Sequence, residues 1–233
     1  MPPAEVEGIT RLWLWHVPSV PVALASLTAS LQSRFGASRS GRWWTTCEHL
    51  TQKRAANAAA SAATASTNST ATAQPAPASK ELYCLTFSSQ PDRCHCISAA
   101  VLVTSSAAFP SFLTTTAGYA SRSTYQVEGD SFTMGDFTLS LGTLRHNGRY
   151  TSSIVLQLTY QPCCQPLPNT FQLLQSVLES VVAGEAGGAE AAMSFRPAGG
   201  WPVFVDFGLG EVWTARHTAL MWLFVLQMSR GAP

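Results

Sequence analysis

Ser131 is the residue whose type and surroundings best suit nucleophilic chemistry, because it follows Gly129 and Asp130 in a short polar block. A nucleophilic serine needs a histidine base and an orienting carboxylate that converge on it in space. His146 and His217 are the candidate bases, and with them the chain would be an esterase-like hydrolase. The block lies mid-chain, just before a predicted strand, and lacks the strand-turn-helix context of an exposed nucleophile. We therefore favour a turn in which Gly129 supplies the bend and Asp130 or Ser131 bonds the backbone.

The six cysteines offer soft ligands for a metal ion, most closely spaced in Cys94-His95-Cys96 and Cys163-Cys164. Common zinc sites use Cys-x2-Cys pairs, and neither of these clusters has that spacing. A chain of 233 residues also buries enough core to fold without disulfides. The sequence therefore predicts reduced thiols, no metal site and no cofactor.

Other motifs that signal catalysis are missing from the sequence. It has no Gly-rich phosphate loop, no His-Glu-x-x-His and no pair of carboxylates at strand spacing for acid-base work. Asn68-Ser69-Thr70 matches a glycosylation acceptor, which would matter only in a secreted glycoprotein. Glu5 and Glu7 stand where a secretory signal would be basic, and Pro18 and Pro21 interrupt the apolar stretch that follows. We therefore expect an intracellular chain that is not an enzyme.

The charge content of the chain is low and balanced. Fourteen Lys and Arg stand against thirteen Asp and Glu, and charged residues make up 12% of the chain, about half the ~25% of an average globular domain. A net charge of +1 creates no long-range field toward nucleic acid or an anionic membrane surface. With 46% hydrophobic residues, the chain is poorly equipped to remain a solvated monomer. These numbers argue against direct nucleic-acid or membrane binding and favour a protein partner.

Tryptophans are the candidate partner-contact residues, because tryptophan is enriched at binding hot spots. Trp13 and Trp15 fall in one predicted strand, Trp43 and Trp44 in another, and Trp222 in the apolar C-terminal segment. Side chains alternate between the two faces of a strand, so half of them are expected to face the core. We expect at least one tryptophan of each pair to lie on the outward face, where a partner would cover it.

Residues 55–79 consist of Ala, Ser, Thr, Asn, Gln and Pro, with no large apolar residue. Such a segment cannot bury enough surface to offset the entropy of ordering it. A domain boundary here would leave about fifty residues on the N-terminal side, which is marginal for independent folding. We predict a disordered insertion at 55–79 within a single domain that spans residues 1–233.

The remaining sequence mixes strand and helix signals, as an α+β protein does. In the first half of the chain, the predicted elements are a strand at 12–17, a helix between Ser19 and Gly36 and a strand at 42–49. After residues 55–79 come a hairpin of strands 82–87 and 95–103, a short helix at 110–119 and a brief strand at 124–127.

The clearest local signal is an antiparallel hairpin over residues 137–160. Asn147-Gly148 favours a primed turn, and apolar and polar residues alternate on both sides of it. The apolar positions are Phe137, Leu139, Leu141, Ile154, Leu156 and Leu158, and we expect them to face the inside of the sheet. A helix capped by Asn169 or Thr170 follows, and residues 211–228 predict a C-terminal helix that is buried either in the domain or by a partner.

Five stretches, in their order and spacing, carry a resemblance to a known family. They are residues 41–48 (Gly-Arg-Trp-Trp-Thr-Thr-Cys-Glu), residues 137–144, residues 154–163 ending in Leu-Thr-Tyr-Gln-Pro-Cys, the helix at 173–181, and Phe207-Gly208 before the apolar C-terminal helix. The chain resembles subunit 20 of the Mediator complex of RNA polymerase II transcription. The likeness covers most of the chain outside residues 55–79, which look like a lineage-specific insertion.

The resemblance implies a many-stranded antiparallel β-barrel with flanking helices, similar to Mediator subunit 18 and distantly to RNA triphosphatase barrels. Such a phosphatase needs acidic and basic side chains inside the barrel, whereas the expected inward positions of the hairpin are apolar. The resemblance therefore implies a non-enzymatic coactivator subunit of the Mediator head in the nucleus. Its implied partners are subunit 18 and the C-terminal region of subunit 8, with the remaining head and RNA polymerase II reached indirectly. An esterase-like hydrolase that uses Ser131 is the alternative.

Overall fold

The structure, a computed structural model, describes residues 7–53, 81–99, 101–183 and 201–230. These residues form eight strands and five helices, which confirms the predicted α+β class. The strands are β1 (Ile9–His16), β2 (Ser38–Gln52), β3 (Glu81–Phe87), β4 (Gln90–Ser98), β5 (Val101–Ser106), β6 (Tyr119–Met134), β7 (Phe137–His146) and β8 (Arg149–Tyr160). The helices are α1 (Val20–Phe35), α2 (Phe109–Thr115), α3 (Thr170–Val182), α4 (Trp201–Asp206) and α5 (Ala215–Arg230).

The predicted insertion at residues 55–79 lies outside the described residues. Its disorder and the single domain over residues 1–233 therefore stay predictions. None of the helices in the described ranges combines the length and the apolar character that crossing a membrane requires.

The strands join one antiparallel sheet in the order β1-β8-β7-β6-β2-β3-β4-β5. Among the described strands, β1 and β5 each have one neighbour, so the sheet is barrel-like but open between them. Helix α5 contacts β1, and the Arg216 guanidinium of α5 donates a hydrogen bond to the Leu102 carbonyl of β5 at 2.8 Å. A helix that reaches both ends of the sheet lies on its concave face. The predicted antiparallel sheet with flanking helices is therefore confirmed.

The predicted bounds of α1 and the predicted hairpin turn are confirmed, whereas neither Ser19 nor Asn169 caps its helix through a side-chain hydrogen bond. Helix α1 begins after Ser19 and ends at Gly36, which has a φ of 60° and donates its N–H to the Leu31 carbonyl. Asn147 and Gly148 have φ values of 49° and 76° and connect β7 to β8. Two consecutive positive φ angles are typical of a type I′ turn, which matches the twist of the strands that it joins.

The apolar face of the β7–β8 hairpin packs under helices on the convex side of the sheet. Its fully buried residues are Leu139, Leu141, Ile154, Leu156 and Leu158, with Phe137 partly buried on the same face. Trp13 of β1 is the register partner of Leu156, and its indole Nε1 donates to Gln175 Oε1 of α3 at 3.3 Å. Helices α1 and α3 both contact β8. The expectation that these residues face the inside of the barrel is therefore wrong, because the helices bury the outer face as well.

Two strand boundaries also differ from the predictions. The strand predicted at 95–103 is two strands, β4 and β5, which separate after Ala99, a residue with a φ of 47°. The brief strand predicted at 124–127 is the centre of β6, which has 16 residues. Strand β6 pairs with β2 on one side and β7 on the other. Backbone hydrogen bonds to these two neighbouring strands hold the polar residues near both ends of β6 in the sheet.

Candidate functional site

A cavity of about 520 Å³ lies on the concave face, between the sheet and the first turn of α5. Hydroxyl and amide side chains dominate its walls, and they are those of Thr10, Ser40, Ser88, Ser89, Ser131, Thr138, Ser140, Gln157, Thr159, Gln161 and Thr218. The lining residues exposed to solvent, which form its mouth, are residues 40–42, Ser89 and Gln161. A recess in which polar groups converge is the default candidate for a functional site.

Cross-strand pairing brings the polar side chains of the cavity together. Ser131 of β6 pairs with Ser140 of β7, and their Oγ atoms lie 2.6 Å apart. Thr10 of β1 pairs with Thr159 of β8, and their Oγ1 atoms lie 2.9 Å apart. Ser140 also pairs with Gln157 of β8, so the polar positions form one continuous patch. Sequence reasoning missed this patch, because polar residues that alternate along a strand are usually assigned to the solvent face.

Two facing glycines make room for aromatic rings beside the polar patch. Gly129 of β6 pairs with Gly142 of β7, and a Cβ at Gly142 would lie 2.7 Å from Cζ3 of Trp43. The ring centroids of Trp43 and Trp222 are 5.9 Å apart, and the Trp222 indole donates to Gln157 Oε1 at 3.2 Å. The prediction that Gly129 bends a turn is therefore wrong. It lies within β6, where the absence of a side chain allows close packing.

Charged groups are few around the cavity. Among its described lining residues, Glu7 and Arg42 are the charged ones. Asp130, the neighbour of Ser131, points to the opposite face of β6 and forms an ion pair with Arg39 at the surface. Divalent cations such as Mg²⁺ and Ca²⁺ need several oxygen ligands, and phosphoryl transfer needs cations around the transferred group. The cavity walls supply neither set.

The predicted base His146 does not reach Ser131. Ser131 of β6 pairs with Ser140 of β7, whereas His146 of β7 pairs with Tyr125 of β6. Tyr125 lies six positions before Ser131 in β6. At a rise of about 3.4 Å per residue, this separation is roughly 20 Å. The His146 ring stacks on the Tyr125 ring with a centroid distance of 4.6 Å. Strand register therefore separates this predicted pair.

The second predicted base, His217, has both ring nitrogens engaged elsewhere. Its Nδ1 accepts the backbone N–H of Thr214 at 3.2 Å, and its Nε2 donates to the Gly210 carbonyl at 3.0 Å. Burial lowers the pKa of His217, so its neutral form is favoured. These bonds fix the imidazole as a structural link between α5 and the segment before it. The structure does not bring His146 or His217 to Ser131, as the alternative hydrolase would require.

Strand alternation also separates the candidate metal ligands that the sequence offers. His95 points to the face opposite Cys94 and Cys96, because it lies between them in β4. Cys163-Cys164 lies in the connection that follows β8. Cys94 and Cys96 instead meet Cys84 of β3, which the sequence analysis left out. The register of β3 against β4 brings the third thiol to this cluster, and no local sequence signal gives that register.

The buried imidazole of His95 is expected to make stability depend on pH. His95 is 2% exposed, and burial lowers its pKa from 6.5 to about 4. Between these two pH values the unfolded chain binds a proton at His95 that the folded chain does not bind, so the folded state loses stability as the pH falls. We expect this group to lower the free energy of unfolding by about 3 kcal/mol as the pH falls from about 6.5 to about 4.

A His95→Phe variant tests this expectation, because phenylalanine keeps a ring of similar size and does not titrate. Urea unfolding of the wild type and the variant at neutral pH and at pH of about 4 measures the loss for each protein. We expect the variant to lose about 2 to 3 kcal/mol less than the wild type on acidification. An equal loss in both proteins would show that His95 does not carry the effect.

Most of the tryptophans expected to contact a partner are core residues. Trp13, Trp15, Trp43 and Trp222 are at most 8% exposed. Trp13 and Trp15 share the helix-covered face, because residues two positions apart in a strand point the same way. The expectation that one of this pair lies outward is therefore wrong, and burial removes these four residues as contact candidates. Trp44 is half-buried and remains a candidate.

The chain matches one protein family and has similar folds among solved structures. Residues 10–225 match the family described as TATA-binding related factor (TRF) of subunit 20 of Mediator complex. No curated protein matches the chain. The PH1819 protein from Pyrococcus horikoshii OT3 is 5% identical, with a TM-score of 0.41, covering 79% of this chain and 94% of that chain. The Schizosaccharomyces pombe Mediator head module is 10% identical, with a TM-score of 0.33, covering 79% of this chain and 96% of that chain.

Both TM-scores are low, so the assignment rests on the family match. That match begins in β1 and ends in α5, and it therefore includes nearly every described strand and helix. Members of the family are components of Mediator, a complex that regulates transcription. From the extent of this match, the chain belongs to the Mediator subunit 20 family.

Proposed function

We propose that this protein is a non-enzymatic subunit of the Mediator head that acts in the nucleus as a coactivator of RNA polymerase II. It pairs with Mediator subunit 18 and with the C-terminal region of subunit 8. The observation that carries the proposal is the family match over residues 10–225. In this role the protein acts by binding other Mediator subunits, and its contact with RNA polymerase II is indirect, through the rest of the head.

The chemistry of the cavity supports a binding role. A serine nucleophile needs a base within hydrogen-bond reach, and the close partner of Ser131 Oγ is the hydroxyl of Ser140. Thr10 and Thr159 satisfy each other in the same way. Hydroxyl pairs of this kind stabilise a sheet through cross-strand contacts and do not activate a nucleophile.

The edge of the sheet at β5 supports a protein partner. Val101 and Val103 of β5 are 59% and 52% exposed, and Phe112 of α2 is 53% exposed. Among the described strands, β5 pairs with β4 alone, so its outer edge has backbone groups outside the ladder, apart from the Leu102 carbonyl that accepts Arg216. Exposed apolar side chains beside such an edge are typical of a surface that a partner covers. We therefore expect the isolated chain to be poorly soluble or to self-associate.

Trp44 is the tryptophan through which the partner proposal can be tested. We expect Trp44→Ala to weaken the affinity for subunit 18 at least about tenfold, because half-buried tryptophans at interfaces are frequent hot spots. Isothermal titration calorimetry measures this change, and thermal melting is expected to show a small loss of stability. An unchanged affinity would exclude Trp44 as a contact residue.

Trp43→Ala is the matched control, since it makes the same change one position away on the opposite face. Trp43 packs against Trp222 in the core, so its removal should lower the free energy of unfolding by about 3 to 5 kcal/mol. We expect this variant to lose stability more than affinity, measured at a temperature at which it is still folded.

Reconstitution with subunit 18 tests the pairing itself. Light scattering of the purified chain, alone and mixed with subunit 18, should show self-association in the first sample and a stable heterodimer in the second. The heterodimer should also melt at a higher temperature than the isolated chain, because the partner binds only the folded state. A soluble, strictly monomeric chain that ignores subunit 18 at micromolar concentration would contradict the pairing.

A further inference from the structure

Three buried thiols meet on the convex face of the sheet, opposite the polar cavity. Cys84 of β3 lies across from Cys96 of β4, and Cys94 precedes Cys96 by two residues on the same face. The Sγ atoms of Cys84 and Cys96 are 3.5 Å apart, and those of Cys94 and Cys96 are 3.8 Å apart. All three sulfur atoms lie within 4.8 Å of one another.

These sulfur-sulfur distances match those around a single thiolate-bound cation. Metal-sulfur bonds of about 2.3 Å hold neighbouring sulfur atoms about 3.8 to 4.0 Å apart in tetrahedral or trigonal geometry. All three cysteines are free thiols, so each sulfur is available as a ligand. The separations of 3.5 and 3.8 Å are therefore close to ligand spacing, and small shifts of the side chains would bring all three sulfur atoms to one cation.

We propose that Cys84, Cys94 and Cys96 form a binding site for one Cu(I) ion, held by three thiolates. Soft sulfur ligands select Cu(I), zinc and iron-sulfur clusters among the metals of cells. A structural zinc site needs four ligands, and the described residues bring three metal-ligating side chains together here. Cu(I) accepts three-coordinate thiolate ligation, so it suits this donor set.

The surroundings of the thiols suit a soft cation that is shielded from water. Leu50 and Leu113 are buried in the same cluster, and Leu82, Phe109 and Tyr119 pack against it. Such an apolar shell excludes solvent and protects Cu(I) from oxidation and exchange. The cysteines of β4 lie one strand from the edge of the sheet, and Ser105 Oγ of β5 is 3.8 Å from Cys96 Sγ.

Binding deprotonates the three thiols, because a metal ion is ligated by thiolates. Each thiol releases its proton to solvent as its sulfur binds, so uptake of the ion releases protons. The positive charge of a bound Cu(I) offsets part of the repulsion between the neighbouring thiolates.

Competition for Cu(I) tests the site on the full-length chain, purified with subunit 18 if solubility requires it. The protein is kept reduced and free of oxygen, and Cu(I) is supplied as a complex with a coloured chelator of known affinity. We expect the chain to withdraw one Cu(I) from the chelator. Copper K-edge X-ray absorption of the wild-type complex should show three sulfur ligands, and this measurement needs no variant.

Single serine variants locate the ligands. Cys84→Ser, Cys94→Ser and Cys96→Ser should each weaken Cu(I) binding at least about tenfold. Changes to residues that only support the metal ligands already weaken binding by about this factor, so loss of a ligand should cost at least as much. Cys47→Ser is the matched control, because Cys47 is a buried thiol of β2 on the opposite face of the sheet. A Cys163→Ser, Cys164→Ser double variant controls for the thiols in the connection after β8.

Four results would overturn the proposal. The chelator could retain all of the copper, the absorption spectrum could show nitrogen ligands or two sulfurs, or the double variant at Cys163-Cys164 could abolish binding. Preferential uptake of Zn²⁺ in a four-coordinate site would equally contradict it. The spectrum of the wild type decides the question even if a serine variant fails to fold.

Discussion

A Leu156→Asp variant is expected to be unfolded under conditions in which the wild type is folded. Leu156 is fully buried in β8, between Trp13 of β1 and Leu141 of β7. A carboxylate at this position would lose its hydration among apolar side chains, at a cost of at least several kcal/mol. The whole protein is expected to be stable by about 5 to 15 kcal/mol. Circular dichroism and urea titration should therefore show no cooperative unfolding transition for the variant.

Gln157→Asp is the matched control, because it places the same side chain one residue further along β8 on the other face. Gln157 lines the cavity, where a carboxylate keeps access to solvent through the mouth. The change removes the hydrogen bond from the Trp222 indole, so we expect a loss of about 1 to 2 kcal/mol. If this variant were the less stable of the two, the assignment of the two faces of β8 would be wrong.

Gly129→Ala is expected to destabilise the protein by at least about 3 kcal/mol, although it adds one methyl group. A Cβ at Gly129 would lie 1.8 Å from the Leu141 carbonyl oxygen and 2.6 Å from the Gly142 Cα, and both atoms are backbone. Strand β6 has neighbours on both sides and cannot move away without breaking a ladder. The midpoint of urea unfolding measures the loss.

Gly210→Ala controls for the general effect of replacing glycine with alanine. A Cβ at Gly210 meets no atom within 4 Å, so its stability should change by less than about 0.5 kcal/mol. Equal stability of the Gly129 and Gly210 variants would mean that β6 and β7 do not approach as closely as the structure shows.

Features that depend on neighbours in sequence were predictable, and features that depend on distant partners were not. The β7–β8 hairpin was predicted correctly because Asn147-Gly148 and the alternating residues beside it specify it locally. The length of β6 was underestimated because its polar ends remain in the sheet through pairing with β2 and β7. Tertiary pairing of this kind overrides local strand propensity.

The polar cavity could not be predicted, because alternation shows that a strand has two faces and not which face lies inside. Both faces of β8 are covered, by α1 and α3 on one side and by α5 on the other. These helices come from distant parts of the chain, so the sequence of β8 does not show which helix covers which face. The alternation of apolar and polar residues therefore does not reveal in which direction the sheet curves. The same ambiguity led to the expectation that at least one of Trp13 and Trp15 lies at a surface, whereas helix packing buries both.

Affinity purification of the tagged full-length chain from the nuclei of its own cells, followed by quantitative mass spectrometry, tests the proposed Mediator role most directly. We expect subunits of the Mediator head to be recovered with the chain, with subunits 18 and 8 in amounts comparable to the chain itself. Recovery of the chain without any Mediator subunit would contradict its role as a component of the head.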